Sequence, residues 1–294
     1  MTSGPAPTWW PAPAKLNLML RITGRRPDGY HDIQTVFQLL DHGDRLAFAL
    51  RDDGVIRKPN PPAGVPEEHG LAVRAARLLQ QASGCRLGVD IHLDKRLPLG
   101  GGVGGGSSDA ATTLVALNHL WNTGLSEDRL AELGRQLGAD VPVFVRGRSA
   151  WAEGVGERIT PIELPERWYA VVCPPIHVGT AELFADPALD RHQPRITLDD
   201  FLRGTGGNAF EPIAVRRHPE IAAAMACLRP FAPPHLTGTG ACVFAAFDRP
   251  APAAQAIANL STDGMTGFHA RGVNISPLHR LLAEIRQDTS GSLC

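Results

Sequence analysis

From Pro98 onward the chain reads Pro-Leu-Gly-Gly-Gly-Val-Gly-Gly-Gly-Ser-Ser-Asp, with six glycines among residues 100–106. A run with so little side-chain bulk can turn through positive φ and bring its backbone N–H groups against a ligand. Ahead of it, Leu87, Val89, Ile91 and Leu93 alternate as a strand. Behind it, Ala110, Ala111, Leu114, Leu117, Leu120 and Trp121 form the buried stripe of a helix, with Ser107, Ser108 and Asp109 as capping candidates. A glycine loop that opens a helix joins free N–H donors to the positive end of the helix dipole, worth about 0.3–1 kcal/mol per nearby charge, and so favours phosphate. Pro98, Leu99, Gly100, Gly101, Gly102, Val103, Gly104, Gly105, Gly106, Ser107 and Ser108 are therefore the candidate phosphate-binding residues.

The kind of phosphate ligand is less direct. Gly100 to Gly105 satisfies a GxGxxG pattern, but so many glycines nearly force it, and a second helix follows the first where a dinucleotide fold needs a strand ending in an acidic residue. A P-loop would place Lys where Ser107 follows Gly106, and the HRD and DFG signatures of protein kinases are missing. What remains is a nucleotide-using transferase of another class. For phosphoryl transfer to a hydroxyl, one carboxylate and one ammonium converging on the loop would suffice.

The elements that must position such groups follow from periodicity. Leu16, Leu18, Leu20 and Ile22 alternate with Lys15, Asn17, Met19 and Arg21, which predicts a strand with one buried face and puts Lys15 and Asn17 together on the other. A turn over Gly24–Gly29 leads to Tyr30, His31 and a second strand through Val36, Phe37, Leu39 and Leu40. Asp52–Gly70 reads as a loop excursion, after which Leu71, Ala75, Leu78 and Leu79 recur at helical spacing. A helix starting at Ser126 stops at Gly138, Asp140 lies just beyond, and Val141–Val145 and Ser149–Ala152 read as strands. Pro161–Arg167 is polar and proline-bearing enough to be a domain junction. After it, a strand over Tyr169–Cys173, a helix over Ile221–Leu228, a strand over Cys242–Phe247 and a terminal helix from Pro277 suggest an α+β second half.

The chain has 294 residues, 43% of them hydrophobic and 20% charged, enough for two modest domains with proper cores. Lys plus Arg number 29 and Asp plus Glu 30, for a net charge of −1, which leaves no charge excess for nucleic acid or anionic lipid. The five cysteines, Cys85, Cys173, Cys227, Cys242 and Cys294, form no CxxC pair and are odd in number, which suits reduced thiols in a cytoplasm. Neither an export signal nor a membrane span is expected.

Pro98–Ala110 resembles the phosphate-binding motif of the GHMP kinases. Pro13–Leu18, Asp28-Gly29-Tyr30-His31, Gly138-Ala139-Asp140-Val141-Pro142 and Thr237–Phe244 resemble, in the same order, a member of that superfamily in the non-mevalonate isoprenoid pathway. The resemblance implies a two-domain α+β fold, residues 1–163 binding ATP and 164–294 completing the site, with the active site in the cleft between them. It further implies transfer of the ATP γ-phosphoryl group to the 2-hydroxyl of a cytidine-diphosphate methylerythritol. Asp140 would act as the base and Lys15 would polarise the acceptor oxygen. On the same resemblance Tyr30 and Phe184 sandwich the cytosine, His31 bonds its edge, Asn17 and Thr180 add polar contacts, and Gly240 lets backbone approach the acceptor. Leu71 and Lys95 stand near the adenine. Magnesium would ride on the ATP phosphates near Ser107 or Ser108, with no dedicated carboxylate cage. The expected partners are ATP and the small-molecule acceptor, without nucleic acid or membrane, and the expected state is a cytoplasmic monomer or homodimer.

Two rivals share the residue-level evidence. A nicotinamide-dependent oxidoreductase would place the loop in a dinucleotide fold and bind NAD rather than ATP. A nucleic-acid-binding module would show a salt-sensitive gel shift, which the charge balance disfavours. Read singly, Asp140 is a turn or cap residue, Lys15 a solvated strand lysine and Phe184 a core phenylalanine.

Overall fold

Alternating apolar residues near the N-terminus build a long antiparallel ribbon, β1 (Trp10–Arg25) with β2 (His31–Arg51). The computed structural model describes residues 7–59, 70–260 and 264–291 of the chain, so residues 60–69 of the expected loop excursion and Cys294 lie outside the described residues. Register shifts between Pro13 and Lys15 and between Asn17 and Met19 bracket the Lys15–Asn17 segment. Such irregularities re-aim side chains locally, as they commonly do beside active sites. The strand is not one-faced as expected: Lys15 and Asn17 are buried along with Leu16, because the glycine loop and Phe37 cover the second face.

Next come β3 (Ile56–Arg57), α1 (Leu71–Ser83), β4 (Gly88–Asp94), α2 (Gly105–Leu120), α3 (Glu127–Arg135), α4 (Val141–Arg146), β5 (Ala150–Gly154) and β6 (Arg158–Pro161). β7 (Trp168–Cys173), α5 (Thr180–Ala185), α6 (Leu198–Leu202), β8 (Gly207–Asn208), α7 (Glu211–Arg217) and α8 (Pro219–Leu228) open the second half. β9 (Pro234–Leu236), β10 (Val243–Phe247), α9 (Pro250–Ala258), β11 (Thr266–Val273) and α10 (Pro277–Gly291) finish it. One sheet path, β3-β4-β2-β11-β7-β10-β9, runs through both halves. β11 is the join: it pairs with β7 over Thr266–Arg271 and with β2 through Gly272↔Leu40 and Val273↔Leu39.

The segment Val141–Val145, expected as a strand, is helix α4. Its alternating valines mimic a strand pattern, but Pro142 sits in the first helical turn, where its missing N–H costs nothing, and Gly147 closes the helix in the left-handed region at φ 62°. Phe144, Val141 and Val145 then pack into the first core with Leu114, Leu117 and Leu133. That core also takes Leu278 and Leu282 of α10, so the chain's end returns to its beginning. A second core, around Phe210, Ile221, Leu228 and Val243, fills the other half. A third, of Leu16, Leu40, Val103, Val171, Cys242 and Phe244 among others, lies between them beneath the glycine loop.

Candidate active site

Lys15 Nζ is held from three directions. It donates to Asn17 Oδ1, donates to the Gly102 carbonyl at 2.9 Å, and lies 3.2 Å from Asp140 Oδ2. The Phe37 ring sits 5.5 Å from the same ammonium, and the Lys15 N–H donates to the Val103 carbonyl at 3.0 Å. An ammonium only 3% exposed is tolerable because each of its donors has a partner. Asn17 is fixed in turn, its amide donating to Thr35 Oγ1 at 2.8 Å and its backbone N–H to Thr237 Oγ1 at 2.9 Å. These bonds leave Asn17 facing Lys15 rather than turning freely.

The glycine loop rises over this group and delivers α2. The helix is capped by Gly104 and not by Ser107 or Ser108, which with Asp109 lie inside it. Gly104 holds φ 77°, and a Cβ there would meet Phe144 at 2.7 Å and the Lys15 stem at 3.2 Å, so only glycine lets the helix start this close to the lysine. Ser107 lines the cleft. Ser108 is fully buried with its hydroxyl unpaired, and Val103 points into the third core, so neither side chain reaches the cleft. Pro98, Leu99 and the loop glycines line it as expected.

Asp140 is the N-cap residue of α4, yet its carboxylate makes no cap hydrogen bond. It turns to Lys15 instead and stays 34% exposed to the cleft. A residue that looked like a plain cap is thus spent on an ion pair across 125 positions of sequence, and α3 and α4 hold it there by packing on each other and on α2.

The opposite wall belongs to the second half. Thr180, the first residue of α5, shares a 3.0 Å hydrogen bond with Thr239 hydroxyl to hydroxyl, and Gly240 lies beside them on the cleft. Phe184 on the same helix lines the cleft, stacks on His31 with centroids 4.9 Å apart and meets Phe210 edge-on at 4.8 Å. Arg191 donates to His31 Nε2 at 3.3 Å, and burial first, then Arg191 and Arg25, hold the imidazole below its ordinary pKa. The ring is therefore neutral at pH 7, a face for stacking and an acceptor at Nε2. Tyr30 lies on the turn before β2, 66% exposed, and makes no ring contact among the described residues. The cleft between the walls holds about 530 Å³, room for a nucleotide tail and a second ligand.

One group of charges escaped sequence reading. Lys95 Nζ bonds Asp44 at 2.6 Å and Asp109 at 3.0 Å, and Asp44 also accepts from the N–H groups of Arg96 and Leu97 at 2.6 and 2.8 Å. Asp44 thereby pins the chain as it enters the glycine loop. Burial first, with Asp44 adding to it and Lys95 opposing, pushes the Asp109 carboxyl up to about 7. Burial pulls Lys95 down, but Asp109 and Asp44 together hold it above its ordinary value. Committed to two carboxylates, Lys95 does not present a free ammonium to a base, whereas Leu71 does line the cleft. No spacing rule links residues 44, 95 and 109; in the sequence Asp109 reads as a capping candidate and Lys95, by resemblance, as a neighbour of the adenine, and Asp44 is not singled out at all. Among the described residues no group of three or more His, Cys, Asp or Glu is placed to hold a metal. Cys85, Cys173, Cys227 and Cys242 are all outside disulfides. No helix among the described residues is long and apolar enough to cross a membrane.

Residues 70–148, which carry the loop, α2 and Asp140, match the family model for the GHMP kinases N terminal domain. A 4-diphosphocytidyl-2-C-methyl-D-erythritol kinase from Pseudomonas paraeruginosa is 58% identical over 272 residues, covering 92% of this chain and 96% of that protein. This chain belongs to the 4-diphosphocytidyl-2-C-methyl-D-erythritol kinase family. A second member of the family, from Pseudomonas syringae pv. syringae, is 57% identical over the same span. The crystal structure of a 4-(cytidine 5'-diphospho)-2C-methyl-D-erythritol kinase superposes with a TM-score of 0.80 at 35% identity, covering 90% of this chain and all of that one. The mevalonate kinase of Methanococcus jannaschii, at 15% identity and a TM-score of 0.64, shares the fold. The expected α+β GHMP architecture is the one observed, and the family's kinase activity accounts for a phosphate loop without a P-loop lysine.

Proposed function

We propose that this chain transfers the γ-phosphoryl group of ATP to the 2-hydroxyl of 4-diphosphocytidyl-2-C-methyl-D-erythritol in the non-mevalonate isoprenoid pathway. The observation that carries the reading is the 3.2 Å pair of Lys15 and Asp140 beside the glycine loop, in a cleft walled by both halves. Asp140 takes the proton from the attacking hydroxyl, a role for which it needs an open oxygen, and its 34% exposure leaves one. Lys15 orients that carboxylate and stabilises negative charge growing on the acceptor oxygen and the transferring phosphoryl group. The backbone donors of Gly100–Gly106 and the start of α2 hold the ATP tail and Ser107 adds a hydroxyl; magnesium, carried in on the phosphates, would supply charge neutralisation there.

On the acceptor side Phe184 and Tyr30 sandwich the cytosine, and His31, stacked on Phe184, bonds its edge. Thr180, Asn17 and Gly240 flank the sugar and diphosphate. In this reading residues 1–163 form the N-terminal ATP-binding domain and residues 164–294 the C-terminal domain that completes the site, with α10 packed back on the first core. The test is a phosphorylation assay with ATP and the cytidine-diphosphate methylerythritol, read by ADP release and by 31P NMR of the product, against galactose, homoserine and mevalonate. Phosphorylation of the cytidylyl acceptor alone supports the reading; turnover of another alcohol in its place, or none of any, overturns it.

A further inference from the structure

We propose that His177 is a phosphoryl-binding residue of the cleft, donating from its imidazole to phosphate oxygens at the point where the two walls meet. The inference rests on the kinase reading above. Among the described residues that line the cleft, Lys15, Asp140 and His177 are the ones with ionisable side chains. Lys15 is already tied to Asp140, Asn17 and the Gly102 carbonyl, so the pair leaves no positive side-chain charge free for ligands rich in phosphate. His177 comes from the loop between β7 and α5, three residues before Thr180, and it is exposed. Its ring reaches across to the glycine loop: a Cβ on Gly100 would lie 2.2 Å from Nδ1 and 2.7 Å from Cε1, so the contact exists only because residue 100 is glycine, held at φ 70°. The imidazole makes no hydrogen bond among the described residues, so its donor is uncommitted. A side chain that packs on the phosphate loop from the acceptor wall, with an unused N–H, is placed to meet the phosphates of whichever ligand occupies the junction.

That ligand chemistry has two sources, the terminal phosphates of the nucleotide or the diphosphate of the acceptor, and they are separable. Isothermal titration of ADP and, separately, CDP into the wild-type protein, His177→Gln and His177→Ala measures each. A loss of about tenfold or more for ADP alone assigns the contact to the nucleotide, a loss for CDP alone to the acceptor, and either supports the proposal. Steady-state kinetics should show the KM of the same ligand rising more than kcat falls. As a check independent of substitution, diethyl pyrocarbonate modification of His177 in the wild-type protein, followed by peptide mass spectrometry, should slow in the presence of that ligand. Unchanged affinities for both ligands, or modification that neither slows, overturns the assignment. A wild-type protein that binds neither ADP nor CDP instead refutes the kinase reading on which it rests.

Discussion

Replacing Lys15 with Met removes one charge and little volume, because an unbranched thioether follows the course of the lysine stem past Gly104 and Phe37. The structural cost is two acceptors left without their donor, Asn17 Oδ1 and the Gly102 carbonyl. At roughly 0.5–1.5 kcal/mol each, this comes to about 1–3 kcal/mol. Asp140, 34% exposed, takes water when its partner goes, so the larger penalty for stranding a buried ion does not apply. Melting should fall by several degrees, at about 2–4 °C per kcal/mol for a protein of this size, with the fold intact. The functional cost is larger: loss of a preorganised charge at the reacting oxygens is worth about 10²–10³ in kcat. Coupled ADP-release kinetics with ATP and acceptor varied in turn should show kcat falling by that factor while the ATP KM moves little. If kcat stayed within about threefold of wild type and only the ATP KM rose, Lys15 would be a nucleotide-binding lysine and the electrostatic role assigned to it would be wrong.

Asp140→Asn should lower kcat by roughly 10²–10⁴, the range for a general base, with ADP affinity retained by calorimetry; full turnover would remove Asp140 from the reaction. Phe184→Ala strips the stack on His31 and the edge contact with Phe210, so the acceptor KM should rise about tenfold with the ATP KM unchanged, and equal changes in both would point to a general loosening of the cleft. The Asp109 carboxyl, raised to about 7 by burial, keeps its proton longer in the folded than in the unfolded chain, so its contribution to stability declines as pH rises between about 4 and 7. Lys95, held above its ordinary value, stays charged through that window. Urea melts should therefore show wild type losing stability relative to Asp109→Asn across it, and parallel pH curves would contradict the burial argument.

The sequence made the loop, its strand and its helix plain, because glycine density and apolar periodicity are local signals. It also put Lys15 and Asn17 on one strand face, where they do touch. Their partner Asp140 had only its block of neighbours to single it out, since an aspartate before a helix is ordinarily a cap and only tertiary packing of α4 turns its carboxylate away from that duty. α4 itself was misread because Val141, Val143 and Val145 alternate like a strand, while the deciding evidence, Pro142 in the first turn and contacts with α2 and α3, is partly non-local. The Asp44–Lys95–Asp109 group was illegible for a related reason: three charges far apart in sequence show no period, so nothing joins Asp109, read as a cap, and Lys95, placed near the adenine, to each other or to Asp44.

Strand β11 stitches the two halves into one sheet, hydrogen-bonded to β2 at Gly272 and Val273 and to β7 over Thr266–Arg271, with a shared apolar layer between the halves. Bending the halves like a hinge would tear that ladder and open a void under the glycines. Adjustment to ligands of different length must therefore fall to the rims, the Tyr30 turn and the His177 loop, while the base and its ammonium remain on bedrock.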